Sequence, residues 1–347
     1  MSGRLLRLAC TTAVAAQAVL APAPAVATPD PQRSVAQLLT DLQQLYRKTE
    51  QATETYNATT ERLERQRAEV ARLDGELARA RLVLQGSRTA AGRLARQQYQ
   101  NSGGLGPYAR VLLAPDPQHA LDEGHVLGEL AREQARTVAR FTAAERRRDA
   151  LARAARKALD TQLGLAGRLK RQRDDVQAKL AEVERLLAGL TPAQLAAVAR
   201  LEQQGVTAAQ QRLTTAGALP ADRAAATPAG QRAVRYAMDQ LGKPYQWGAQ
   251  GPDAYDCSGL TSQAWSHAGS PIPRTSQEQW DRLRRVPLNR LRPGDLVVYF
   301  PEATHVAMYV GDGKVVQAPR PGEKVTVSPI ASYPVLGAVR PGTDGRA

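Results

Sequence analysis

Cysteine, phenylalanine and histidine are scarce in this sequence: two, two and four residues in 347, with aromatics at only 4%. Aromatic side chains dominate large cores, so one globular core using the whole chain is excluded. Two cysteines exclude a disulfide framework. No paired-histidine, cysteine-pair or clustered-carboxylate spacing occurs, so neither a metal nor another cofactor is expected. After residue 27 no apolar run is long enough to cross a bilayer. Acidic residues are also in deficit, 33 against 47 basic ones, for a net charge of +14. That excess divides as about +2 before residue 28, about +8 over 28–228 and about +4 over 229–347.

What is present begins with Arg4 and Arg7, an apolar stretch from Leu8 to Leu20, and the small-x-small run Ala25-Val26-Ala27 before Thr28. This pattern predicts a secretory signal peptide over residues 1–27 and a mature protein outside the cytoplasmic membrane. An exported chain meets little nucleic acid, and no aromatics are interleaved among its basic residues as stacking platforms. Anionic wall polymers and lipid head groups are the better acidic partners, and a solvated arginine-rich helix face accounts for the charge equally well.

Cys10 falls inside the leader, which leaves Cys257 without a disulfide partner in its own chain. Such a thiol is either a buried hydrophobe or a reactive group. Its flanks favour reactivity. Asp256 is a good N-cap, and Ser-Gly-Leu-Thr-Ser-Gln-Ala-Trp then opens a helix-like run. A thiol in a first helical turn faces unpaired N–H groups and the positive end of the dipole, which favour thiolate.

Alanine, arginine, leucine and glutamine crowd residues 34–215. Positions 38, 42, 45, 49, 52, 56, 59, 63, 66, 70, 73, 77, 80 and 84 alternate steps of four and three and are mostly Leu, Ala, Val and Thr. A 3.5-residue seam of this length predicts a coiled coil. The pattern breaks at Asn101–Pro107 and again at Pro115-Asp116-Pro117. A second helix is expected from about 119 to 190, with a late seam at Leu169, Val176, Leu180, Val183, Leu187 and Leu190. Two helices of similar length around one break suggest an antiparallel hairpin, with an intermolecular coil as the alternative. Thr191-Pro192 starts a short helix, and the alanine-, threonine- and proline-rich stretch from 205 predicts a linker, so residues 191–228 are assigned as the connection.

Thr227-Pro228 opens a new domain, residues 229–347, as an N-cap followed by a first-turn proline. Strand signals occur only here: Asp295–Phe300, His305–Val310, Lys314–Ala318, Lys324–Val327 and Val335–Arg340, with Gly311-Asp312-Gly313 as a hairpin turn. Helices followed by a meander of antiparallel strands define an α+β chain. A reactive thiol needs a base, and the base needs an orienting group. His305, at a strand end, is the first choice. His267, ten residues after Cys257 on the same expected helix, lies about 15 Å away along the axis. His119 and His125 belong to the helical arm. If Val310 pairs with Lys314, His305 pairs with Pro319 and Gln317 lies diagonally from His305 on one sheet face. Its amide oxygen can then accept from one ring nitrogen and leave the other facing the thiol.

Tyr245-Gln246-Trp247-Gly248, Asp256-Cys257-Ser258-Gly259-Leu260, Pro273-Arg274-Thr275-Ser276, Arg292-Pro293-Gly294-Asp295-Leu296 and His305–Gly311 occur in that order. The set resembles the NlpC-type family of bacterial cell-wall cysteine endopeptidases, which have a papain-like α+β fold. The resemblance covers about residues 229–340. It implies Cys257 as nucleophile, His305 as base and Gln317 in the third polar position, where the family often has histidine, asparagine or glutamate. It also implies that Tyr245, Asp256 and Ser258 line a cleft for peptidoglycan stem peptides cut between D-glutamate and the diamino acid. Gly248-Ala249 stands where Gly-Gly is commoner. The arm resembles, in architecture only, the coiled-coil regions of exported wall hydrolases, which suggests a membrane division complex as partner. Two roles are open for it, docking or covering the Cys257 cleft. The competing class is a non-catalytic wall-binding scaffold acting through its coiled coil, and intact Cys257 and His305 argue against it.

Overall fold

The computed structural model describes residues 34–101, 109, 111, 114–220 and 225–342. The signal-peptide reading, Cys10 and most of the Asn101–Pro107 break lie outside the described residues. Helix α1 runs over Val35–Asn101, 67 residues, and α2 over Pro117–Ala188, 72 residues. At 1.5 Å per residue each is roughly 100 Å long. Asp116 caps α2, its carboxylate accepting from the His119 amide, and Pro117 occupies the first turn where no N–H is missed. Contacts descend in register along the pair. Leu38 and Leu42 cluster with Val183, Gln66 donates to the Ala158 carbonyl, Arg88 faces Glu145, and Gln98 meets Gln134. The two helices are therefore antiparallel and form a hairpin within one chain. Every one of the fourteen seam positions on α1 is buried or half-buried, while most positions between them are exposed. The alternation of four and three keeps one stripe facing a neighbour, and each buried leucine in it contributes roughly 1.5–3 kcal/mol.

The connection differs from the expected linker. Residues 192–215 form a continuous helix, α3 (Pro192–Thr215), opened by a capping box between Thr191 and Gln194. The alanine- and threonine-rich stretch stays helical because α3 lies against the C-terminal domain. Gln210 donates to the Gly313 carbonyl and accepts from the Ala331 amide, and Leu213 and Leu219 pack on a core cluster of the sheet. Tertiary packing has overridden composition here.

The C-terminal domain begins at α4 (Pro228–Met238), capped by Thr227, followed by α5 (Cys257–His267) and α6 (Ser276–Arg282). Six antiparallel strands follow: β1 (Arg284–Val286), β2 (Leu296–Tyr299), β3 (His305–Gly311), β4 (Lys314–Gln317), β5 (Thr326–Pro329) and β6 (Val335–Arg340), in spatial order β1-β6-β2-β3-β4-β5. The sheet separates two apolar clusters. Along β3, Val306 and Met308 join α4 and α5 on one face, and Ala307 and Tyr309 join Leu291, Val297 and Ile330 on the other. Met308 pairs with Val316 and Tyr309 with Val315, the register that places Gln317 diagonal to His305. Only the turn departs from expectation: Lys314 pairs with Gly311 instead of Val310, so Asp312 (φ 53°) and Gly313 (φ 66°) make a two-residue turn and a bulge falls between Tyr309 and Gly311.

Candidate active site

Cys257 is the first residue of α5, and Asp256 is its N-cap, accepting from the Gly259 amide at 2.7 Å. Gly259 is required by a close approach: a Cβ there would lie 2.2 Å from the Ala249 carbonyl oxygen. That contact seats the helix start against the 245–250 loop, whose Tyr245 is buried beside the thiol. Arg274 grips Asp256 through two bonds of 2.6 and 3.0 Å and reaches Ser258 Oγ at 2.8 Å. Thus Tyr245, Asp256 and Ser258 gather around the thiol, with Arg274 as an unassigned fourth member. Its position in the Pro273–Ser276 motif was visible in the sequence, but its partner was not.

His305 opens β3, and the next residue, Val306, packs in the same core cluster as Cys257. The imidazole Nε2 lies 2.7 Å from Gln317 Oε1, and the Gln317 amide in turn donates to Ser328 Oγ at 3.0 Å. Ring contacts with Tyr333 at 4.9 Å and Tyr299 at 5.7 Å close the sides of the imidazole. The structure therefore assembles Cys257, His305 and Gln317 at one end of the sheet. His267 sits apart, stacked on Tyr236, and His119 lies on α2 against Asp116.

The cleft is filled by α1, the covering role left open for the arm, through residues that no sequence signal marked. Glu54 is fully buried, accepting from Ser258 Oγ at 2.7 Å and from the Ser276 amide at 2.8 Å, and its Oε1 lies 3.9 Å from Cys257 Sγ. One turn earlier, Glu50 Oε1 lies 3.1 Å from His305 Nδ1, an ion-pair distance whose alignment falls short of a good hydrogen bond. One turn later, Asn57 donates to Asp256 at 3.1 Å. Positions 50, 54 and 57 form a stripe of helical period that the sequence does not set apart, because neighbouring residues of α1 are polar as well.

These carboxylates change the chemistry of the pair. Burial pushes the Cys257 thiol well up, and Glu54, Asp256 and Glu50 add to the shift. This reverses the sequence expectation of a favoured thiolate: the helix N-terminus is present, but desolvation and three carboxylates outweigh it. For His305, burial works downward, yet the Glu50 carboxylate and the bond to Gln317 outweigh it and raise the imidazole. Glu54 is itself raised to about 7, by burial first and the Asp256 charge second. With α1 in place, the thiol is held neutral, and a protonated imidazole has a carboxylate counter-ion that is not the thiolate.

Residues 242–336 match the NlpC/P60 family. A probable endopeptidase of Corynebacterium glutamicum strain R is 40% identical over 140 residues, covering 40% of this chain and 66% of that protein. The peptidoglycan endopeptidase RipB of Mycobacterium tuberculosis is 37% identical over 140 residues, covering 36% of this chain and 58% of the relative. A solved structure described as RipD of M. tuberculosis, a non-catalytic NlpC/p60 domain protein adapted to peptidoglycan binding, is 29% identical, covers 33% of this chain and 98% of its own, and has a TM-score of 0.30. Residues 242–336 are therefore an NlpC/P60 domain, and relatives matched through it are named endopeptidases. The matched region spans about two thirds or less of the curated relatives' own length.

Proposed function

We propose that this chain is an exported peptidoglycan endopeptidase that hydrolyses stem-peptide amide bonds through Cys257 and is held latent by its own α1 helix. The observation that carries the reading is the convergence of Cys257 with the His305–Gln317 pair in a cleft lined by Tyr245, Asp256 and Ser258. Once α1 leaves, the thiol proton passes to His305, and the thiolate attacks the amide carbonyl. The negative oxygen of the tetrahedral adduct is stabilised by backbone N–H at the α5 start. His305 then protonates the leaving amine, and water hydrolyses the thioester, returning thiol and free carboxylate. The bond between D-glutamate and the diamino acid is the substrate implied by the family resemblance. An anionic pocket-filler fits such a cleft: Glu54 takes donors that an acidic peptide would otherwise take.

Latency follows from the same contacts. Substrate cannot reach a thiol that is 3% exposed under Glu54. Docking of the arm to a membrane division complex, or to anionic wall polymers, would supply the release. The reading is tested by mass analysis of muropeptides incubated with the full chain carrying Glu54→Arg, which sets a cation beside Arg274 and expels α1. Stem-peptide products are expected, and their absence after Cys257→Ala in the same background. Bound but uncut muropeptide would favour the wall-binding scaffold instead.

A further inference from the structure

Helix α1 acts as a ruler laid along the cleft. From its C-terminal side, Asn57 meets Asp256, Glu54 meets Ser258 and Cys257, Glu50 meets His305, and Tyr46 meets Arg320. Arg320 therefore lies beyond His305, on the side away from Asp256 and Ser258, and Glu54 to Tyr46 spans about 12 Å of helix. A cavity of about 240 Å³ opens there, with Glu50 and Tyr333 at the imidazole end and Arg320 and Glu202 at the other. Glu54 takes the donors of an acidic residue on the functional reading above, and with D-glutamate as the acyl residue that reading implies, the Asp256–Ser258 end is the acyl side and this cavity continues the cleft on the leaving-amine side.

The guanidinium of Arg320 is arranged for an outside anion. Glu323, three residues on in the same loop, holds Nε at 2.6 Å and fixes the plane. Both Nη groups point to Glu202 of α3, at 2.8 and 3.1 Å, and Tyr46 of α1 covers the ring-like face at 4.8 Å. Tyr46 leaves with α1, whereas Glu202 sits on α3, which stays on the sheet through Gln210 and Leu213, so an incoming carboxylate takes Arg320 by displacing Glu202. With Tyr46 gone the guanidinium stays anchored through its Nε edge by Glu323, and its two-pronged edge can exchange the Glu202 carboxylate for another. That edge matches a carboxylate bidentately.

We propose that Arg320 is a specificity-determining residue which binds a free carboxylate on the leaving-amine side of the scissile bond, and that Glu202 occupies this position until substrate displaces it. The proposal deepens the endopeptidase reading and rests on it for the direction of the substrate. Carboxylates of the chain thus stand at two separated points, Glu54 of α1 on the acyl side and Glu202 of α3 on the leaving side. The substrate class is a peptide whose portion after the cut carries a free carboxylate, as opposed to the same peptide amidated there.

The test uses the full chain with Glu54→Arg to free the cleft and Cys257→Ala to stop turnover. Calorimetry measures binding of two synthetic stem tripeptides that differ only in a C-terminal carboxylate or carboxamide. The carboxylate form is expected to bind about tenfold or more tightly, and Arg320→Gln to erase that preference. Arg320→Lys, which keeps the charge and loses the fork, is expected to retain part of it. A preference that survives Arg320→Gln, no preference with Arg320 intact, or no binding of either peptide overturns the proposal. Binding is read without hydrolysis, so the two readings separate. An Arg320-dependent preference in a chain that cuts nothing when Cys257 is restored sinks the peptidase and keeps this site. Hydrolysis without the preference does the reverse.

Discussion

Two stretches of α1 share one seam and differ in what lies beside it. From Leu63 to Leu84 the fully buried residues are Leu63, Leu73, Leu77, Ala80 and Leu84, all apolar and all on the seam. From Thr49 to Thr59 the seam residues Thr49, Ala52 and Thr59 are buried, and so are Glu50, Thr53, Glu54 and Asn57 next to them. The first stretch has one partner, α2. The second has α2 and the cleft of the C-terminal domain. Apolar packing gains nothing from water and holds the hairpin together permanently. Buried carboxylates are costly once unpaired, and each donor they use is one that water or substrate can satisfy instead. One helix therefore carries a fixed interface and a removable one.

Glu54→Arg should break this comparison most strongly. It removes the acceptor for Ser258 and Ser276 and brings like charge to Arg274. Breaking a buried ionic contact costs about 3–5 kcal/mol, or roughly 10²–10⁴ in the docking equilibrium. Labelling of Cys257 by a thiol reagent should accelerate by that order, while the thermal unfolding of the hairpin stays near that of the parent. Unchanged labelling would mean that the Thr49–Thr59 face does not close the cleft.

Leu77→Ala should show the opposite profile. Leu77 is 7% exposed and packs with Leu73, Ala155 and Ala158. Loss of a core leucine costs about 2–5 kcal/mol. The helical unfolding transition seen by circular dichroism should fall, and Cys257 labelling at temperatures below it should not change. Faster labelling in the folded state would show that the two interfaces are one cooperative unit.

Acidity should act on the second stretch alone. Glu54, raised to about 7 when docked, returns to the ordinary carboxylate range when α1 is released, and His305 is also higher when docked than when exposed. Both groups bind protons more tightly in the docked state. Docking is therefore strongest in acid, below the free carboxylate range for Glu54, and is lost as pH rises through about 7. The arm position, followed by fluorescence transfer between a label on α2 and one on β6, should shift toward release from pH 5 to 8. Glu54→Gln should flatten most of that change, leaving the part due to His305. An equally steep profile in the glutamine variant would place the titration elsewhere.

The seam and the hairpin were legible because a 3.5-residue period needs only one stripe of side chains. The His305–Gln317 contact was legible too, since strand register follows from the Gly311–Gly313 turn and the diagonal pairing survives the bulge at Tyr309. The three-residue strand β1, Arg284-Arg285-Val286, was missed: two arginines and a valine carry no alternation until β6 pairs with them. Glu50, Glu54 and Asn57 were hidden for a different reason. Their partners lie about 200 residues away, and a polar residue waiting for a cleft looks the same in sequence as one facing water. Likewise, α3 continues through an alanine- and threonine-rich stretch only because Gln210, Leu213 and Glu202 find the C-terminal domain.

The smallest effect is expected inside the catalytic domain, from Gln317→Ala. Gln317 touches His305 on the nitrogen opposite Glu50, so it belongs to neither stretch of α1 and should leave docking nearly unchanged. In the released Glu54→Arg chain it orients the imidazole, with Ser328 holding its amide in place. Water can replace part of that bond, whereas nothing replaces the imidazole as proton carrier. Hydrolysis should therefore fall about tenfold for Gln317→Ala and by about 10³ or more for His305→Ala, which acts as a unit with the thiol. The measurement is kcat on a soluble muropeptide for both variants in the released chain. Equal losses would make Gln317 a participant in proton transfer, and an unaltered rate would leave His305 oriented by its ring contacts with Tyr299 and Tyr333 alone.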